Sequence, residues 1–158
     1  MSALVAFIHH LAAFTLVAAL VLEKVSLRDV AAGIGGGTVD AANARKLMRT
    51  DMIFGMSAGI LLAAGLLRVF VFEKGTGYYF HSVPFIVKAS LFVIVGLVSI
   101  IPTVEFIKWG KALKSGRPVQ ADSQKIASLQ KIVQLEIAGV VVIVLCAALM
   151  AKGIGVVG

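Results

Sequence analysis

The stretch FIVKASLFVIVGLVSIIPTVEFIKW, residues 85–109, decides the fold. Between Lys88 and Glu105 it carries no charged side chain and shows no strict alternation of apolar and polar positions. A hydrocarbon core of about 30 Å is crossed by about 20 helical residues advancing about 1.5 Å each, and this run is long enough to do so. Three other runs meet the same requirement, which puts the spans at approximately 3–22, 51–72, 85–108 and 130–151. In lipid every backbone N–H and C=O needs a partner within the protein, and long unalternating runs meet that need as helices rather than as barrel strands. The expected architecture is all-α: one transmembrane domain over residues 1–158, an integral membrane four-helix bundle.

Composition agrees. Of 158 residues 59% are apolar and 15% charged, and the mean hydropathy is +1.00; soluble domains carry about 45–50% and about 25%. Too little polar surface exists to cover a water-soluble globule, so the lipid bilayer is the partner that covers it. The formal net charge of +7 does not point to nucleic acid, because the cations gather in two connections between spans. The single cysteine, Cys146, lies in an apolar run and is read as packing. The first run has no basic segment before it and no evident cleavage site, so it is read as a retained span rather than a signal.

Lys24, Arg28, Arg45, Lys46 and Arg49 fall in the first connection and Lys108, Lys111, Lys114, Arg117 and Lys125 in or beside the third, whereas the second holds only Lys74. The positive-inside rule then makes the first and third connections cytoplasmic and leaves both termini and the 73–83 loop outside. Gly35, Gly36 and Gly37 break the first connection, after which Thr38 to Arg49 is expected to form a short helix leading into the second span. The last helix is expected to start near Asp122 or Ser123.

Polar side chains inside a membrane are costly and are functional candidates by default. His9 and His10 interrupt the first span; neighbours on a helix diverge by about 100°, so one can be a ligand while the other bonds nearby. His9 shares a face with Ala6 and Ala13, His10 with Phe7 and Phe14, and either could be the ligand. Arg68 lies before the end of the second span and Lys88 early in the third, on a stripe with Phe92, Val95 and Ser99; each is either a snorkelling cation or a site residue. His81 precedes Ser82, a candidate helix cap, and Pro84, tolerated in a first turn. Gly55, Gly59 and Ala63 form a small-residue seam that permits close approach by another helix or by a macrocycle edge. Glu136 sits deep in the fourth span, there to pair with a basic residue or join a proton path, whereas Asp51 and Glu105 read as interfacial acids.

The topology gathers His9, His10, Arg68, His81 and Lys88 in the outer half of the bundle. Imidazole beside cations in an apolar setting suits a haem, with nitrogen for iron and positive charge for the propionates. An anionic quinone, another porphyrin-like molecule or a soft metal would draw on the same residues.

FIHHLAAF at 7–14, GLLRVFVFEKGTGYYF at 65–80 and the stretch at 85–109 together resemble a family of small four-helix bacterial inner-membrane proteins of unknown function. More distantly, a histidine in the first span and a lysine early in the third are similar to the plan of HemJ-type protoporphyrinogen oxidases and CopD-like membrane domains. That likeness implies haem b, with iron on His9 or His10 and Lys88 at the matching site; the Trp of those relatives is replaced here by Leu16 or Val17. The expected protein is thus a haem b-binding membrane redox protein, an oxidoreductase in which Arg68 and Lys88 neutralise propionates and His81 is a second ligand or acid/base. The alternative is a non-enzymatic membrane subunit, or a transporter of a metal or small ligand. Small-residue seams point to a homodimer.

Overall fold

The computed structural model describes residues 2–34, 37–72 and 82–155. Helix α1 (Ser2–Gly33) leads to strand β1 (Thr38–Val39) and helix α2 (Ala41–Leu67), which runs into a π-helical turn (Arg68–Phe72). Helix α3 (Val83–Lys114), strand β2 (Val119–Gln120) and helix α4 (Ser123–Ala151) follow. All four helices are long and apolar enough to cross a membrane. They pack as a ring, α1 on α2, α2 on α3, α3 on α4 and α4 on α1.

The two short strands pair antiparallel, Thr38 opposite Gln120 and Val39 opposite Val119. This ribbon ties the α1–α2 connection to the α3–α4 connection, so α1 and α3 end, and α2 and α4 begin, at one end of the bundle. At the other end the Val83 N–H donates to the Gly155 carbonyl at 3.0 Å, joining the start of α3 to the close of α4.

Caps explain the boundaries. Asp40 Oδ2 accepts from the N–H groups of Ala42 at 2.9 Å and Asn43 at 3.2 Å, and Asp122 Oδ1 accepts from that of Lys125 at 2.6 Å. Each carboxylate satisfies donors that the first helical turn leaves without intrahelical partners. Gly116, at φ +67°, ends α3 and lets the Arg117 N–H reach the Ala112 carbonyl at 2.9 Å. The helix expected at Thr38–Arg49 begins only at Ala41 and continues unbroken into the second span; Thr38 and Val39 are strand because Asp40 is the cap. Ser82 occupies the N-cap position of α3, but its hydroxyl makes no capping bond.

The helices outrun the apolar segments, α1 continuing past Leu22 to Gly33. At about 1.5 Å per residue, the 32 residues of α3 are about 48 Å long, well beyond a hydrocarbon core of about 30 Å. The excess lies at the ribbon end, and so does most of the buried core: Leu27, Val30, Leu47, Phe106, Trp109 and Ile126 are almost wholly enclosed. Farther from the ribbon large apolar groups turn outward, Phe14 being 72% and Leu97 62% exposed on the protein surface. Water drives apolar groups inward; lipid does not, so side chains that face it need no enclosure.

The Gly55–Gly59–Ala63 seam does not mediate packing among the described residues. All three residues are exposed, and an added Cβ at Gly55 or Gly59 meets no atom within 4 Å. Close approach occurs at Gly139 instead, where a Cβ would fall 2.7 Å from Val95 Cγ2 across the α3–α4 contact.

Candidate functional site

Polar side chains inside the bundle form two groups, one toward each end. Away from the ribbon, the two histidines of α1 part company as helical geometry requires. His10 is exposed between the outward-facing Phe7 and Phe14, and its Nδ1 lies 2.6 Å from the Ala6 carbonyl one turn back. His9 turns inward and is half-buried. Its Nδ1 is enclosed and has no hydrogen-bond partner among the described residues. The ring lies against the backbone of α2: a Cβ at Gly65 would be 3.6 Å from its Cε1, and the Leu61 main chain interacts with it. A Cβ at 65 would therefore stand in ordinary van der Waals contact with the ring.

Arg68 and Lys88 are the cations whose charges reach His9. Both are half-buried. Arg68 closes α2 with its N–H shared between the Ala64 and Gly65 carbonyls, and opens the π-helical turn, a rare geometry concentrated at functional sites. Lys88 shares its half-buried stripe with Phe92, Val95 and Ser99. Three helices therefore bring His9, Arg68 and Lys88 into one neighbourhood, while His10 stands outside it. His81 lies outside the described residues. Among those described, no three His, Cys, Asp or Glu side chains come together as a metal-ion site.

The second group lies nearer the ribbon: Glu23 on α1, Asp51 on α2 and Glu136 on α4, each at most 7% exposed. Thr103 Oγ1 on α3 donates to Asp51 Oδ1 at 2.7 Å. Of the two roles open to Glu136, pairing with a basic residue finds no support among the described residues, where neither of its oxygens has a hydrogen-bond partner. Asp51, read as an interfacial acid, is buried inside the bundle, because α2 starts far enough back to carry it there. Glu105 is bridged to Lys125 at 3.0 Å and Lys108 at 3.6 Å. Glu23, at the end of the first apolar run, reads from sequence as a connection residue. The signal was there: Leu20, Glu23, Leu27 and Val30 follow helical spacing, which carries the buried face of α1 past Leu22.

A ring of four membrane-length helices with large apolar side chains on its outer surface defines a multi-pass integral membrane protein. The chain belongs to the family described as predicted membrane protein (DUF2214), which it matches over residues 1–155. No curated protein and no solved structure matches it.

Proposed function

We propose that this protein binds haem b and serves in membrane redox chemistry, with His9 holding the iron and Arg68 and Lys88 neutralising the propionates. The observation that carries this reading is the enclosed His9 Nδ1, without a hydrogen-bond partner among the described residues, in electrostatic reach of two half-buried cations. A buried polar atom without a partner is a cost to folding unless something else fills it. The donor set fits a haem better than a bare metal ion. A porphyrin brings four nitrogens of its own and asks the protein for one or two axial ligands, whereas structural or catalytic metal sites need three or four protein ligands. A bound haem supplies one-electron transfer; the chain's part is to hold and orient it, to balance its carboxylates, and to keep water away with the apolar walls of α1–α3. His81 is the candidate second ligand or substrate-side acid/base, and a quinone or a porphyrin-like molecule the candidate substrate.

The visible spectrum of protein purified after expression with ample haem tests the proposal. A Soret band is expected, and a folded, haem-free protein overturns it. Arg68→Gln and Lys88→Gln are each expected to weaken haem binding by about tenfold or more, since hydrogen bonds to charged groups contribute about 1.5–3 kcal/mol. Arg68→Lys should recover only part of the loss, because a point charge cannot reproduce a bidentate guanidinium contact. If the cations only snorkel, the Gln variants keep wild-type haem affinity and Lys replaces Arg completely.

We further propose that the protein lies in a bacterial cytoplasmic membrane with the ribbon end toward the cytoplasm and both termini outside. The support is the gathering of Arg45, Lys46, Arg49, Lys111, Lys114 and Arg117 at that end. Reporters fused to the C-terminus are expected to be active only outside the cytoplasm; the reverse result would invert the topology.

A further inference from the structure

Glu23, Asp51 and Glu136 lie at similar depth, about three to four turns from the ribbon ends of their helices at 3.6 residues per turn. They are close enough to act on one another: Asp51 and Glu136 on Glu23, and Asp51 on Glu136. Cations around them are accounted for elsewhere. Lys24 follows Glu23 and so diverges from it by about 100°; Arg28, Arg49 and Lys131 are exposed, and Lys108 and Lys125 are engaged by Glu105. Facing Asp51 from α3 is a hydroxyl, Thr103.

A second observation lies beside the acids. Ser26 is one turn from Glu23 on the same face of α1, is completely buried, and its Oγ has no partner among the described residues. Glu23 Oε1 and both oxygens of Glu136 share that condition. Ionised carboxylates only accept hydrogen bonds, so three charged acids could not satisfy one another. They would also stand as unneutralised like charges in a low-dielectric interior, at several kcal/mol per ion. A proton added to one carboxylate removes a charge and gives that group an O–H donor of its own.

We propose that Glu23, Asp51 and Glu136 form a shared binding site for exchangeable protons inside the ribbon-end half of the bundle, with Thr103 and Ser26 as its hydroxyl partners. Uptake converts a carboxylate and a proton from water into a carboxyl group, and release reverses it, so no other reactant is needed. The cluster belongs to three helices and titrates as a unit rather than residue by residue.

Infrared spectroscopy of the full-length protein in lipid reads the protons directly. At neutral pH a protonated-carboxyl C=O band is expected, shifting on transfer to D2O and disappearing in alkali. Glu23→Gln, Asp51→Asn and Glu136→Gln should each remove part of the band, and the triple variant all of it; the amides mimic the protonated acids in shape, and any one variant that folds suffices to test the assignment. No band in the wild-type protein, a band that no folded variant diminishes, or a band that does not shift in D2O overturns the proposal. Addition of sodium chloride at fixed pH, with choline chloride as control, separates the proton from an alkali-metal ion of the same charge. Retention of the band in both salts is expected, and its specific loss in sodium would assign the site to the metal ion instead.

Discussion

His9→Ala is expected to leave a folded four-helix protein that has lost nearly all of its haem, whereas His10→Ala keeps it. The asymmetry follows from where adjacent side chains point. His9 faces α2, with Gly65 under its ring and Arg68 and Lys88 in electrostatic reach, while His10 faces lipid and is tethered to the Ala6 carbonyl. Alanine is the best helix former, so neither change should disturb α1. Haem content per folded protein, from the Soret absorbance and a protein assay, measures the outcome. His9→Gly adds a control at about 1 kcal/mol of helix propensity: the space left by the side chain can admit free imidazole, which should restore the Soret band if the ring's role is ligation. Equal haem content in wild type and folded His9→Ala would remove α1 from the proposed site; loss in His10→Ala alone would move it to the lipid face, where the tethered ring is already oriented.

Hydropathy made the four helices legible because in lipid the backbone has no alternative to internal hydrogen bonding. Their order round the ring and the ribbon were not legible: a two-residue strand has no period to detect, and Thr38–Val39 reads as well as the start of a helix. The histidines show how far pattern alone reaches. Both have helical neighbours that suit a site, small ones for His9 and aromatic ones for His10, and only the packing of α1 against α2 distinguishes inward from outward. The acids were obscured for a different reason. Glu23 and Asp51 border apolar runs and stand near Lys24 and Arg49, so each looks like a loop residue when the span is equated with the helix. Once α1 is carried on to Gly33 and α2 back to Ala41, both fall inside the bundle.

That extension also sets where the stability of the fold resides, and Phe106→Ala is the change expected to show it. Phe106 is wholly enclosed at the ribbon end, its ring 5.3 Å from that of Trp109, and both belong to the core cluster that includes Leu27, Leu47 and Ile126. Removing a buried phenyl group there loses its transfer free energy and leaves a cavity between helices held by the ribbon, at a cost of about 3–5 kcal/mol. Leu97, on the same helix but 62% exposed on the protein surface, makes the paired control. Its side chain faces lipid, which solvates leucine as well as a protein interior does, so Leu97→Ala should change stability little. Reversible denaturation in mixed micelles, followed by helix content, compares the two. A large loss for Phe106→Ala beside near-wild-type stability for Leu97→Ala is expected. Equal small losses would mean that the ribbon-end core does not hold the bundle together, leaving helix contacts within the lipid to do so.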